Sequence, residues 1–237
     1  MPTPSQDAGP HIILGVDTSG KNGSIALARY TPPNLEVLEL VSLAGGTYSA
    51  QLLPQLSALL ARHKLDKHSI DAFAVVSGPG SFTGLRVGLS AIKALAEVLQ
   101  KPVAAVSMLE ALASQAEPGR VLALLDTGRK QVFLGEYECT GLGSAALVDQ
   151  ELLLTHDQLA AAVRDGGSVQ VVTPDAPVAA LLAQSGLKAR VIPWPDAGVI
   201  ARLGLQKTLR GEAVSPEALD ANYIRRSDAE IFAKPGS

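Results

Sequence analysis

The stretch Ser77–Ser90, SGPGSFTGLRVGLS, sets Gly78, Pro79, Gly80, Ser81, Phe82, Thr83 and Gly84 between an apolar run and a long apolar helix. Backbone amides at such a helix start can bind an anion. A nucleotide P-loop, however, needs Lys and then Ser or Thr directly after its last glycine, and here Gly84 is followed by Leu85 and Arg86. The glycine spacing also misses the dinucleotide fingerprint, and no acidic residue follows at the required distance. The favoured reading is a tight strand-to-helix turn, in which glycine supplies unusual dihedrals and Ser81 or Thr83 caps the helix.

Two acidic turns offer a second chemistry. Asp17, Thr18, Ser19 and Lys21 in DTSGKNGS, and Asp126, Arg129 and Lys130 in DTGRKQ, present amides, hydroxyls and cationic groups to a phosphate. Paired lobes with an acidic residue at the end of the first strand are the frame of sugar kinases and chaperone ATPases, where Mg-ATP sits in the cleft. Such turns are equally ordinary hairpin chemistry. Other chemistries lack their residues. His11, His63, His68 and His156 lie on separate expected elements and form no His-x-x-x-His pair, so no metal site is expected. Ser81 follows Gly80 but precedes Phe82 and Thr83, which is not a Gly-x-Ser-x-Gly elbow, and no nucleophile is assigned. Cys139, with no histidine near it in sequence, is expected to be a buried bystander thiol.

The elements that must position these groups alternate between strand and helix. HIILGVD, GSIALARY and LEVLELVSL read as a three-stranded antiparallel meander. A helix over 47–63 follows, capped by Thr47 or Ser49 and kinked or delayed by Pro54. DAFAVVS is a buried strand, Leu85–Gln100 a helix, PVAAVS a strand, and Met108–Gln115 a helix. The second half restarts: RVLALLDTGRKQVFLGEYE repeats the strand, Asp-Thr, turn, strand pattern, so Asp17 and Asp126 are equivalent. A strand over 146–154, a helix over 156–164, a strand over 169–172, a helix near 176–184, a strand over 189–192 and a helix over 197–209 complete it. The repeated plan predicts two similar α/β lobes, each a mixed sheet with flanking helices. They are expected at 11–107 and 108–226, with the final helix, about 197–210, able to pack back on the first lobe, and flexible tails at 1–10 and 227–237.

At 100° per residue, the helix after the glycine turn gathers Arg86, Ser90, Lys93, Glu97 and Gln100 into one polar stripe. Leu85, Leu89, Ile92, Ala96 and Leu99 form a core face, and Val87, Ala91, Ala94, Leu95 and Val98 extend it well beyond the arc of a single core contact. This pattern implies a second cover, either another helix of the lobe or a partner subunit. Across 237 residues, 47% hydrophobic and 18% charged, the chain can bury a large core. With 20 Lys and Arg against 23 Asp and Glu it carries no field for nucleic acid or membrane. No apolar run is long enough to span a bilayer and the start lacks signal-peptide features, so a cytoplasmic protein is expected.

In order, ILGVDTS, GSIAL, QLLPQLSALL, GPGSFTGLRVGLSAIKALA, VSMLEALA, LLDTGRKQVFLGEYE and ANYIRRSDAEI resemble the TsaB (YeaZ) family, with GPGSFTGLR the most specific string. The resemblance implies a two-lobed actin-like fold, of the sugar kinase, Hsp70 ATPase and ribonuclease H-like kind. It implies a non-catalytic subunit that pairs with TsaD, alongside the ATPase TsaE, for transfer of threonylcarbamoyl to N6 of the tRNA adenosine next to the anticodon. The chain would dimerise when alone, meet tRNA indirectly, and need no cofactor, with ATP or ADP possible only in the complex. The implied pairing surface covers Thr47–Leu60, with Leu52, Leu56 and Leu60, and Leu85–Leu99, with Val87, Ala91, Ala94, Leu95 and Val98. Many relatives carry His followed by Ser or Thr where this chain has Tyr48 and Ser49.

Overall fold

The computed structural model describes residues 11–222 and 224, apart from 142 and 168. The expected tails at 1–10 and 227–237, and residues 223 and 225–231 of the closing motif, lie outside the described residues. The chain divides into one unit of Met1–Val106 with Pro195–Asp220 and another of Ser107–Trp194 with Ala221–Ser237. Residues 195–220, expected within the second lobe or packing back from it, thus belong to the first unit.

In the first unit, β1 (His11–Asp17), β2 (Gly23–Thr31) and β3 (Asn34–Leu43) form the antiparallel meander, and β4 (Ala72–Gly78) and β5 (Val103–Ser107) extend it to the order β3-β2-β1-β4-β5. β1 pairs β2 antiparallel and β4 in parallel, so the sheet is mixed. The pleat sends alternate residues to opposite faces. On one face the neighbouring strands bring Ala26, Gly15 and Ala74 together, and helix α6 (Ala197–Leu209) lies against them. A side chain at Gly15 would strike the Ala197 carbonyl, and one at Gly204 would strike Ala74; small residues here are the condition for helix contact. Asp196 caps α6 by accepting from the Gly198 amide at 2.9 Å and the Val199 amide at 3.1 Å. The opposite face carries α1 (Tyr48–Arg62) and α2 (Phe82–Leu99), which touch each other.

Pro54 neither delays nor breaks α1, which starts at Tyr48 and runs past it. The proline sits on the exposed side, where water can satisfy the carbonyl that its missing amide leaves unpaired. Thr47 occupies the N-cap position without making a side-chain cap bond; its hydroxyl donates to the Ala44 carbonyl at 3.3 Å.

The second unit repeats the plan. β6 (Gly119–Asp126), β7 (Gln131–Gly141), β8 (Ser144–Leu147), β10 (Gln170–Thr173) and β11 (Arg190–Val191) take the order β11-β10-β6-β7-β8, the counterpart of β5-β4-β1-β2-β3. The single strand expected over 146–154 is two, β8 and β9 (Leu152–Thr155), because the backbone turns between them and each pairs with a different stretch of β7. Helices α4 (His156–Asp165) and α5 (Ala176–Gln184) close a core that includes Leu122, Leu124, Val132, Leu134, Leu159, Val171 and Leu182. Helix α3 (Met108–Ala113) is buried throughout. Two mixed sheets with flanking helices, built on one repeated strand order, are the α/β actin-like plan expected.

Candidate functional site

The glycine turn is shaped by what it packs against. Ser81 caps α2, its hydroxyl accepting from the Gly84 amide at 3.3 Å, while the Ser81 amide donates to the Ser19 carbonyl at 2.7 Å and the Leu85 amide to the Ser81 carbonyl at 2.8 Å. Three amides that could have faced an anion are therefore committed inside the fold. Added side-chain carbons at Gly80, Gly84 and Gly88 would run into Ser19, the Thr18 carbonyl and the Thr18 hydroxyl respectively. Glycine at every fourth position lets the Asp17-Thr18-Ser19 turn lie on the start of α2, and the Thr18 hydroxyl donates to the Gly84 carbonyl at 2.8 Å to hold it there. Gly78, at φ +133, adds a conformation that side chains avoid. Phe82, Thr83 and Arg86 are exposed, the Arg86 guanidinium stacked 3.7 Å from the centre of the Phe82 ring.

Losing the Ser81 hydroxyl removes a long cap bond, so Ser81→Ala is expected to lower the stability of the first unit by about 0.5–1 kcal/mol in urea denaturation. Any hydrolysis by the preparation should be unchanged. Hydrolysis lost with the hydroxyl would reinstate Ser81 as a nucleophile.

The turn at Asp17 is equally closed. Asp17, Thr18 and Ser19 are buried, and the Asp17 carboxylate accepts from the Ser19 amide at 2.8 Å and the Ser19 hydroxyl at 2.6 Å. Lys21 is exposed. Tyr48, which sequence reasoning treated only as a departure from relatives, is buried and donates to the Gly20 carbonyl at 2.9 Å. Burial and the nearby Asp17 charge both raise its pKa, so the phenol stays a donor. Asp126 accepts from the Gly128 amide at 2.9 Å, an Asx-type turn, with Arg129 and Lys130 exposed beyond it. Local turn bonds account for both acidic turns. Among the described residues no cluster of three or more His, Cys, Asp or Glu side chains could hold a metal ion, and no helix is long and apolar enough to cross a membrane.

Cys139 is buried, its thiol donating to the Ala113 carbonyl at 3.3 Å. Burial, aided by the Glu138 charge, pushes its pKa up from 9 to about 11. The native thiol keeps its proton where the unfolded one releases it. Its contribution to stability is therefore full below about pH 9 and is lost as pH rises through about 11. Iodoacetamide at pH 8 should modify the native thiol at least about ten-fold more slowly than the urea-unfolded one.

The outer surface of α1 and α2 is open to the outside. On α2, Leu85, Leu89, Ile92, Ala96 and Leu99 are buried in the unit; Val87, Ala91 and Leu95 are half-buried, and Ala94 and Val98 are exposed, Val98 at 74%. The apolar arc thus exceeds what the unit covers. On α1 the expectation fails: Leu52, Leu56 and Leu60 are core residues at 1%, 5% and 5% exposure. The exposed side of α1 is instead Ala50, Leu53, Pro54, Ser57, Ala58 and Ala61, uncharged as far as Arg62. Leu52, Leu56, Leu59 and Leu60 follow the burial energy inward, leaving Leu53 outside among alanines, serine and proline. The apolar arc of α2 and the outer side of α1 therefore each present an uncharged strip of alanines with Leu53, Leu95 and Val98 among them, bordered by the charged Arg62, Arg86 and Glu97.

Comparison with known proteins fits this geometry to a family. The profile of TsaD, described as tRNA N6-adenosine threonylcarbamoyltransferase, matches residues 42–223. The chain is similar to the tRNA threonylcarbamoyladenosine biosynthesis protein TsaB of Bacillus subtilis, 32% identical over 60% of this chain and 62% of that protein, and so spans less than two thirds of its length. It is similar to an uncharacterised protein of Mycobacterium tuberculosis, 30% identical over 93% of this chain and 95% of the other. Among solved structures, YeaZ from Pseudomonas aeruginosa superimposes with a TM-score of 0.72 at 25% identity, covering 90% of this chain and 99% of that one. Family model, sequence similarity and superposition agree, and the chain belongs to the family that the TsaD model describes, on its TsaB (YeaZ) side.

Proposed function

We propose that this protein is a non-catalytic docking subunit in tRNA threonylcarbamoyladenosine biosynthesis, pairing through α1 and α2 with a TsaD-like protein and working with a TsaE-like ATPase. The partner performs the transfer of threonylcarbamoyl to N6 of the tRNA adenosine beside the anticodon, and this chain meets tRNA only through the assembly. Without the partner the same face joins two copies of the chain. The observation carrying the reading is the unpaired apolar arc Val87-Ala91-Ala94-Leu95-Val98 beside the uncharged face of α1. The acidic turns support the non-catalytic role, because Oδ1 of Asp17 and Oδ1 of Asp126 are each engaged in holding their own turn. The chain itself needs no cofactor, and any ATP or ADP would bind only in the assembled complex.

Two measurements on the purified chain test this. Mixed with a TsaD homologue of the same organism, it should elute in size-exclusion chromatography as one stable complex. Titrated alone with Mg-ATP in a calorimeter, it should show no tight binding and no turnover. Tight binding with hydrolysis by the isolated chain, and no capture of the homologue, would make it a stand-alone ATP-dependent enzyme instead.

A further inference from the structure

One carboxylate of the second unit bonds the two places at which the chain enters that unit. Ser107 is the first residue of that unit and the N-cap of α3, its hydroxyl accepting from the Leu109 amide at 3.1 Å. The chain returns to the same unit at Ala221, one residue before Asn222. Glu151, in the connection between β8 and β9, bonds both places. Its Oε1 accepts from the Ser107 hydroxyl and from the phenol of Tyr137 on β7, and its Oε2 accepts from the Asn222 side-chain amide at 2.7 Å. Tyr137 is almost wholly buried, and burial together with the Glu151 charge raises its pKa, so it stays a donor. A carboxylate taking three donors is among the stronger neutral-pH acceptors a protein can build.

The returning segment has anchors of its own in the first unit. Val214 exchanges backbone bonds with Val103 at 2.8 and 3.2 Å, and the Lys93 ammonium donates to the carbonyls of Glu217 at 3.1 Å and Leu219 at 3.3 Å. Lys93 lies on the polar stripe of α2, away from the apolar arc, so its role is to hold this strap rather than to serve a docking face. Between the Lys93 anchor and the Glu151 anchor only a few residues intervene.

We propose that Glu151 is a crossover staple: a positioning residue whose carboxylate ties the outgoing chain at Ser107 to the returning chain at Asn222, so that the two crossings order and loosen together. Hydrogen exchange on the full chain tests it. Glu151→Ala should speed exchange roughly ten-fold in both Ser107–Ala113 and Leu219–Asn222 while β6, β7 and β10 keep their protection, because charge-assisted bonds to both segments are lost together. Faster exchange in only one segment, or a uniform rise across the unit, would overturn the proposal. Should Glu151→Ala fail to fold, Asn222→Ala removes a single donor. It should loosen Leu219–Asn222 and, through the shared carboxylate, raise exchange at Ser107–Ala113 by a few-fold. No change in α3 would overturn the coupling.

Discussion

Replacing Ala91 or Val87 by aspartate should abolish pairing with a TsaD-like partner, weakening it at least about 100-fold, while the first unit keeps its circular dichroism spectrum. Both side chains are half-buried on the arc that the unit leaves uncovered. A carboxylate carried into an apolar contact without a neutralising partner costs several kcal/mol, and about 2.7 kcal/mol is already a hundred-fold in affinity. The charge is tolerated in the free protein because solvent reaches these positions. Val98→Asp, at a site 74% exposed, separates folding from docking most cleanly: it should leave the unfolding midpoint unchanged and still impair pairing. Assembly unaffected by all three substitutions in size-exclusion chromatography would remove the α2 arc as a docking face.

Gly84→Ala is expected to destabilise the first unit by about 1–2 kcal/mol, read as an earlier midpoint in urea denaturation. Two effects oppose each other here. In an ordinary helix the change gains about 1 kcal/mol of propensity. At this position the new methyl would fall within the radius of the Thr18 carbonyl oxygen, a backbone atom fixed by the end of β1, and overpacking a rigid contact costs about 1–3 kcal/mol or more. The clash wins. Gly88→Ala should cost less, since its methyl meets the Thr18 hydroxyl, which can rotate away at the expense of its 2.8 Å bond to the Gly84 carbonyl. If Gly84→Ala proves neutral or stabilising, the turn is not packed as described, and its amides are again candidates for an anion.

Pattern reading reached α2 nearly in full and α1 by half. On α2 the polar stripe is narrow, so helical periodicity alone leaves an apolar arc wider than one contact requires, and the uncovered side follows by subtraction. On α1 the leucines Leu52, Leu56 and Leu60 make the conspicuous stripe, and the resemblance placed the pairing surface on them. The fold turns that stripe inward against its own sheet and leaves Leu53 and the alanines outside. Tyr48 and Glu151 could not be read at all, because their partners Gly20, Ser107, Tyr137 and Asn222 are distant in sequence and carry no motif.

The order of residues by itself determined the strand and helix plan, its repetition around Asp17 and Asp126, and a glycine turn unable to act as a P-loop, because each depends on local periodicity, dihedral freedom or the identity of adjacent side chains. Only tertiary structure decided that Gly80, Gly84 and Gly88 admit the Asp17–Ser19 turn, that α6 joins the first unit, and which side of α1 faces solvent. Those outcomes rest on contacts between segments far apart in the chain, where an apolar stripe announces that it must be covered but not by what.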